Sequence, residues 1–161
     1  MTINVGDKLP EATFRVMTDD GPAARTTADI FAGKTVILFA VPGAFTPTCH
    51  KNHLPGFVAK ADEFKAKGID AIYATSTNDV FVLDAWQKAS GAVGKVGVLA
   101  DGSADFAKAI GLENDMSAFG MGMRTKRYSM LVKDGVVASL NVEDSPGKAD
   151  VSGADALLGQ I

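Results

Sequence analysis

The chain has 161 residues, with 16 basic and 19 acidic side chains spread along it, a net charge of −3, and 47% hydrophobic residues. That is enough chain for one domain with a proper core, and we expect a single domain over 1–161. Mixed charge excludes an electrostatic footprint for nucleic acid or an anionic membrane surface, and no apolar run nears the ~20 residues of a membrane span. The start, MTINVGDKLPEATF, has no secretory pattern, and one cysteine, Cys49, suits a reducing compartment, so a cytoplasmic location is expected.

Thr35 to Val41 is a continuous apolar, β-rich run bounded by Gly33-Lys34 and Pro42-Gly43, which predicts a strand buried on both faces. From Thr48 to Lys67, apolar residues Leu54, Phe57, Val58, Ala61 and Phe64 recur at steps of three and four, and Gly68 ends the pattern. Pro55 removes a backbone donor and predicts a kink one turn after Cys49. Ile69 to Thr75 predicts a second strand, Asn78 or Asp79 a cap for a helix through about Ser90, and Lys95 to Ala100 a third strand.

Ser103 to Ile110 reads as a short helix, and Asp115 to Thr125, with three methionines and no clear period, as a loop packed over something apolar. Lys126 to Val132 and Val136 to Val142 read as strands joined at Asp134-Gly135, a hairpin signal. Ala154 to Ile161 reads as a final helix. Alternating strands and helices followed by a hairpin and helix give an α/β, thioredoxin-like fold: a central mixed sheet flanked by helices, with Cys49 at the tip of the first long helix.

A thiol in the first turn of a helix faces unpartnered backbone N–H groups and the positive end of the helix dipole, and such cysteines ionise more readily than free ones. A lone cysteine also occurs as a packed small side chain. Pro42, Thr46 and the strand-to-helix position of Cys49 argue for the reactive reading. A hydrolase would need an oriented histidine base, and no triad pattern is present. A passive thioredoxin-like binding module would have no need of Pro42, Thr46, Cys49 and Arg127 together. His50 and His53 lie three apart with no third ligand nearby in sequence, so no metal site is expected.

The segment VPGAFTPTCH carries Pro-x-x-x-Thr-x-x-Cys, and with His53-Leu54-Pro55-Gly56-Phe57, Asn78-Asp79, Leu99–Gly102, Arg127-Tyr128-Ser129-Met130 and Leu140-Asn141-Val142-Glu143 it resembles the peroxiredoxins. The resemblance is to their type II, peroxiredoxin-five-like branch, as a one-cysteine member. It implies an antioxidant peroxidase without a prosthetic cofactor. Cys49 would attack hydrogen peroxide or an organic hydroperoxide, Thr46 would hold the peroxide or the thiolate, Pro42 would shield the thiol, and Arg127 would stabilise the thiolate and the departing oxygen. Arg127 is preferred to Arg124 because it falls in an apolar strand and Arg124 in a flexible loop. His53 could lie near the pocket but is left out of the catalytic set.

With no second cysteine, an outside thiol must resolve oxidised Cys49. The resemblance points to glutathione with glutaredoxin, thioredoxin being the alternative, and to a homodimer using the methionine-rich loop and Phe119.

Overall fold

The computed structural model describes residues 2–161. An antiparallel hairpin, β1 (Thr13–Thr18) and β2 (Gly21–Thr26), leads into a short helix, α1 (Thr27–Phe31), whose start is closed by reciprocal bonds between Thr26 and Asp29. Next come β3 (Thr35–Ala40), a π-helical turn (Cys49–His53) and α2 (Leu54–Ala66). β4 (Ala71–Ser76), α3 (Val80–Ala89), β5 (Gly97–Ala100) and α4 (Asp105–Ala109) follow. The chain then runs through β6 (Glu113–Asp115), β7 (Met123–Thr125), β8 (Tyr128–Lys133), β9 (Val136–Val142) and α5 (Ala154–Leu158).

Seven strands form one sheet in the order β2-β1-β5-β4-β3-β8-β9. β3, β4 and β5 run parallel, whereas β1 and β8 pair antiparallel to β5 and β3. The result is the expected mixed sheet between helices. β3 is buried on both faces because its side chains alternate: Val36, Leu38 and Ala40 enter one core, Ile37 and Phe39 the other. The first core also holds Phe14, Phe31, Phe106 and Tyr128, and the second holds Leu54, Phe57, Phe64, Trp86 and Leu157.

Several local expectations are met. Asp79 caps α3 by accepting the Val82 N–H. Asp134 and Gly135 turn the β8–β9 hairpin with φ of 48° and 78°, the left-handed pair that a type I′ turn requires.

Other expectations are corrected. No element is predicted ahead of Thr35, where the structure has the β1–β2 hairpin: GPAART lacks strand alternation, and pairing of β1 with β2 and β5 overrides that weak local preference. The methionine-rich stretch is not a plain loop, since β6 and β7 pair antiparallel around a 3-10 turn over Ser117–Phe119. Arg124 therefore lies in a strand, and Arg127 lies in the irregular residue pair just ahead of β8. Pro55 lies just after a widened turn, with the Leu54 N–H reaching back to the Cys49 carbonyl. Pro55 thus falls in the first turn of α2, where a missing donor costs least, and π-turns such as the one before it recur at functional sites.

Candidate active site

The loop after β3 is shaped by close backbone approach. A Cβ on Gly43 would stand 3.1 Å from Thr46 Cγ2 and 3.2 Å from Arg124 Nη1, so only glycine fits without displacing neighbours. Phe45 adopts φ of 63°, an uncommon conformation for a bulky residue and a local strain held by the surrounding bonds. Asn78 supplies one of them, its Oδ1 accepting from the Ala44 N–H at 2.8 Å. This turn delivers Thr46 and begins the helix that carries Cys49.

Cys49 is fully buried, and its sulfur accepts a hydrogen bond from Arg127 Nη2 at 2.9 Å, across 78 residues of sequence. Arg127 is 2% exposed and spends its other donors on the Pro146 carbonyl (Nε, 3.1 Å) and His53 Nδ1 (Nη1, 2.9 Å). Ion pairs among the described residues are limited to Lys60–Glu63 and Lys88–Asp84, so no carboxylate neutralises this guanidinium directly. Of its three acceptors, sulfur alone can carry a negative charge.

His53 completes the constellation and is absent from the expected catalytic set. It sits one turn beyond Cys49, the i,i+4 spacing that places two side chains on one helix face; that spacing was the available signal. Its Nε2 lies 2.8 Å from the Ser152 carbonyl, which can only accept, so Nε2 bears the proton and Nδ1 offers a lone pair to Arg127. Burial, followed by the Arg127 charge, pushes its pKa down to about 3, and the ring stays neutral at ordinary pH. Phe39 and Phe57 hold it in place, with ring centroids 4.8 and 5.7 Å away.

Thr46 and Pro42 occupy the same loop. The Thr46 hydroxyl donates to the Gly43 carbonyl at 2.7 Å, which commits its hydrogen and leaves its lone pairs to accept; no bond to the sulfur is made. Its carbonyl accepts the His50 N–H at 2.8 Å. Pro42 is buried, and its carbonyl accepts from Arg124 Nη1 at 3.1 Å. The two arginines thus divide: Arg127 touches the sulfur and Arg124 braces the loop. His50 does not face Arg127; its Nδ1 accepts from Trp86 Nε1 at 3.2 Å. No group of three or more His, Cys, Asp or Glu side chains gathers to hold a metal among the described residues.

Comparison with known proteins gives this geometry its context. The redoxin family model matches residues 4–158. Peroxiredoxin-2E-2, chloroplastic, of Oryza sativa is 47% identical over 98% of this chain and 72% of its own. The chain belongs to the peroxiredoxin family. Peroxiredoxin-2B of Arabidopsis thaliana is 44% identical over 97% of this chain and 96% of its own. The crystal structure of reduced Prx3 from Vibrio vulnificus in complex with hydrogen peroxide superposes with a TM-score of 0.94 at 48% identity, covering 99% of both chains. This peroxiredoxin is accordingly a thiol-dependent peroxidase with a thioredoxin-like fold; it takes a peroxide as substrate and a thiol reductant as co-substrate, with no prosthetic cofactor. No helix among the described residues is long and apolar enough to cross a membrane.

Proposed function

We propose that Cys49 is the peroxidatic nucleophile of one domain spanning the chain, with Arg127, Thr46 and Pro42 as its immediate machinery. The observation that carries this reading is the 2.9 Å contact between the Cys49 sulfur and a buried guanidinium that has no carboxylate partner. A buried cation is costly unless an anion and hydrogen bonds compensate it, and a thiolate at Cys49 supplies that charge.

The thiolate attacks the terminal oxygen of hydrogen peroxide or an organic hydroperoxide. An S–O bond forms as the O–O bond breaks; sulfur is oxidised to the sulfenic acid, and the leaving oxygen takes a proton from solvent to become water or an alcohol. Arg127 stabilises charge as it moves from sulfur to the leaving oxygen. Thr46 accepts a hydrogen bond from the peroxide, because its own hydrogen is committed to Gly43. Pro42 keeps bulk water from the sulfur.

Glutathione resolves the sulfenic acid: its thiol forms a mixed disulfide with Cys49 and releases water. A second thiol, delivered by glutaredoxin or supplied by thioredoxin in its place, frees the Cys49 thiolate by exchange. Two copies assemble through the methionine-rich loop, where Phe119 is 77% exposed. A single thiol suits a reducing compartment, and we place the protein in the cytoplasm.

Mass spectrometry after peroxide plus glutathione tests this route. One glutathionyl adduct on Cys49, removed by glutaredoxin, is expected; a sulfenate that persists in excess glutathione contradicts glutathione as reductant.

A further inference from the structure

We propose that Glu143 and Ser152 are positioning residues for the Cys49–Arg127 pair, acting through the imidazole of His53. The inference rests on the roles given above to Cys49 and Arg127. Glu143 is 8% exposed, and its Oε2 accepts both the backbone N–H and the hydroxyl of Ser152, at 2.7 and 2.6 Å. Ser152, itself fully buried, is thereby fixed at two atoms, and its carbonyl receives His53 Nε2–H at 2.8 Å. His53 in turn offers Nδ1 to Arg127 Nη1 at 2.9 Å, next to the Nη2 that holds the sulfur.

The chain of contacts closes on itself. Glu143 donates its own backbone N–H to the Arg127 carbonyl at 2.9 Å, so the residue that anchors Ser152 is also pinned beside the arginine whose fork it helps to aim. Arg127 Nε and the Thr48 hydroxyl grip the intervening segment at the Pro146 and Gly147 carbonyls.

A guanidinium can rotate about its long side chain, and three acceptors at fixed places remove that freedom. The Nδ1 acceptor exists only while His53 keeps its proton on Nε2, and that proton stays on Nε2 because the Ser152 carbonyl is there to take it. A carboxylate three contacts from Arg127 thus sets where Nη2 points without touching the reacting atoms. In this respect it resembles the outer partners that orient histidine ligands in metal sites.

The test uses the full chain labelled with ¹⁵N-histidine, read by imidazole NMR near neutral pH and by the rate constant for oxidation by hydrogen peroxide. A His53→Gln variant assigns the His53 signals against those of His50. Wild type should show His53 as a single Nε2–H tautomer. Glu143→Ala should lose that single pattern and slow oxidation about tenfold, the loss of one charge-assisted bond's worth of ordering. Glu143→Gln, whose amide oxygen can still accept from both Ser152 donors, should restore both readings.

Wild-type rate and unchanged His53 signals in Glu143→Ala would overturn the proposal. So would a slowed reaction with unchanged signals, since the carboxylate would then act by another route. Should Glu143→Ala fail to fold, Ser152→Ala removes one of the two bonds and is judged by the same criteria, with an unchanged rate and tautomer again decisive against it. The NMR reading stands whether or not Cys49 is the nucleophile, so failure of that reading is distinguishable from failure of this one.

Discussion

Cys49→Ser is expected to reduce peroxide consumption, with glutathione and glutaredoxin supplied, to the rate of the uncatalysed mixture. Serine matches the cysteine closely in size, so the fully buried site stays filled, and its hydroxyl can still accept from Arg127 Nη2 where the sulfur does. What is lost is the proposed nucleophile. An alcohol stays protonated at neutral pH and has none of the thiolate's reactivity toward O–O bonds, and the chain holds no second cysteine to take over. Denaturant midpoints for the two proteins should differ little, which separates lost chemistry from lost fold. Turnover approaching that of wild type contradicts the assignment of Cys49.

Acid should destabilise the protein through His53. The folded-state pKa of about 3 lies below the 6.5 of an unperturbed imidazole, so between those values the unfolded chain binds the proton and the native site excludes it. The sign follows. Stability is complete above about pH 6.5 and falls as pH drops toward 3, by at most ~1.4 kcal/mol per pH unit from this group. The whole effect is of order 3–5 kcal/mol, a large share of the ~5–15 kcal/mol that holds a typical domain together. Urea midpoints for wild type and His53→Gln at a series of pH values isolate it, because the carboxylates titrate alike in both. The wild-type curve should fall more steeply below about pH 6.5; parallel curves contradict the buried neutral imidazole.

What could be read from the sequence follows from how local each signal is. Thr35–Val41 announces a buried strand because both faces of β3 meet apolar cores, and the three-and-four spacing from Leu54 to Phe64 marks a helix face. Asp79 and Asp134-Gly135 are legible since a cap and a two-residue turn need only their own neighbours. The β1–β2 hairpin is not legible in the same way, because GPAART is made a strand by its partner across the sheet. The resemblance points to Arg127, whereas a strand position does not distinguish it, since Arg124 is the one in a strand.

The site shows the same division. Cys49, Thr46 and Pro42 fall within eight residues. His53 was visible as an i,i+4 neighbour, but the fate of its two nitrogens depends on Ser152, 99 residues away, and on Arg127. Ser152 carries no local signal, Glu143 stands in the Leu140–Glu143 segment with nothing there to mark its role, and Pro146 contributes only a backbone carbonyl that any residue would present.

The claim on which the account turns is that the Arg127 guanidinium, through its Nη2 hydrogen bond, is what makes the Cys49 sulfur reactive. Alkylation of Cys49 by iodoacetamide near neutral pH, followed in wild type and Arg127→Met, measures this without peroxide, reductant or partner enzyme. The account predicts a fall of roughly 10- to 100-fold in the variant, the worth of one strong charge-assisted bond. Equal alkylation rates in the two folded proteins would contradict it.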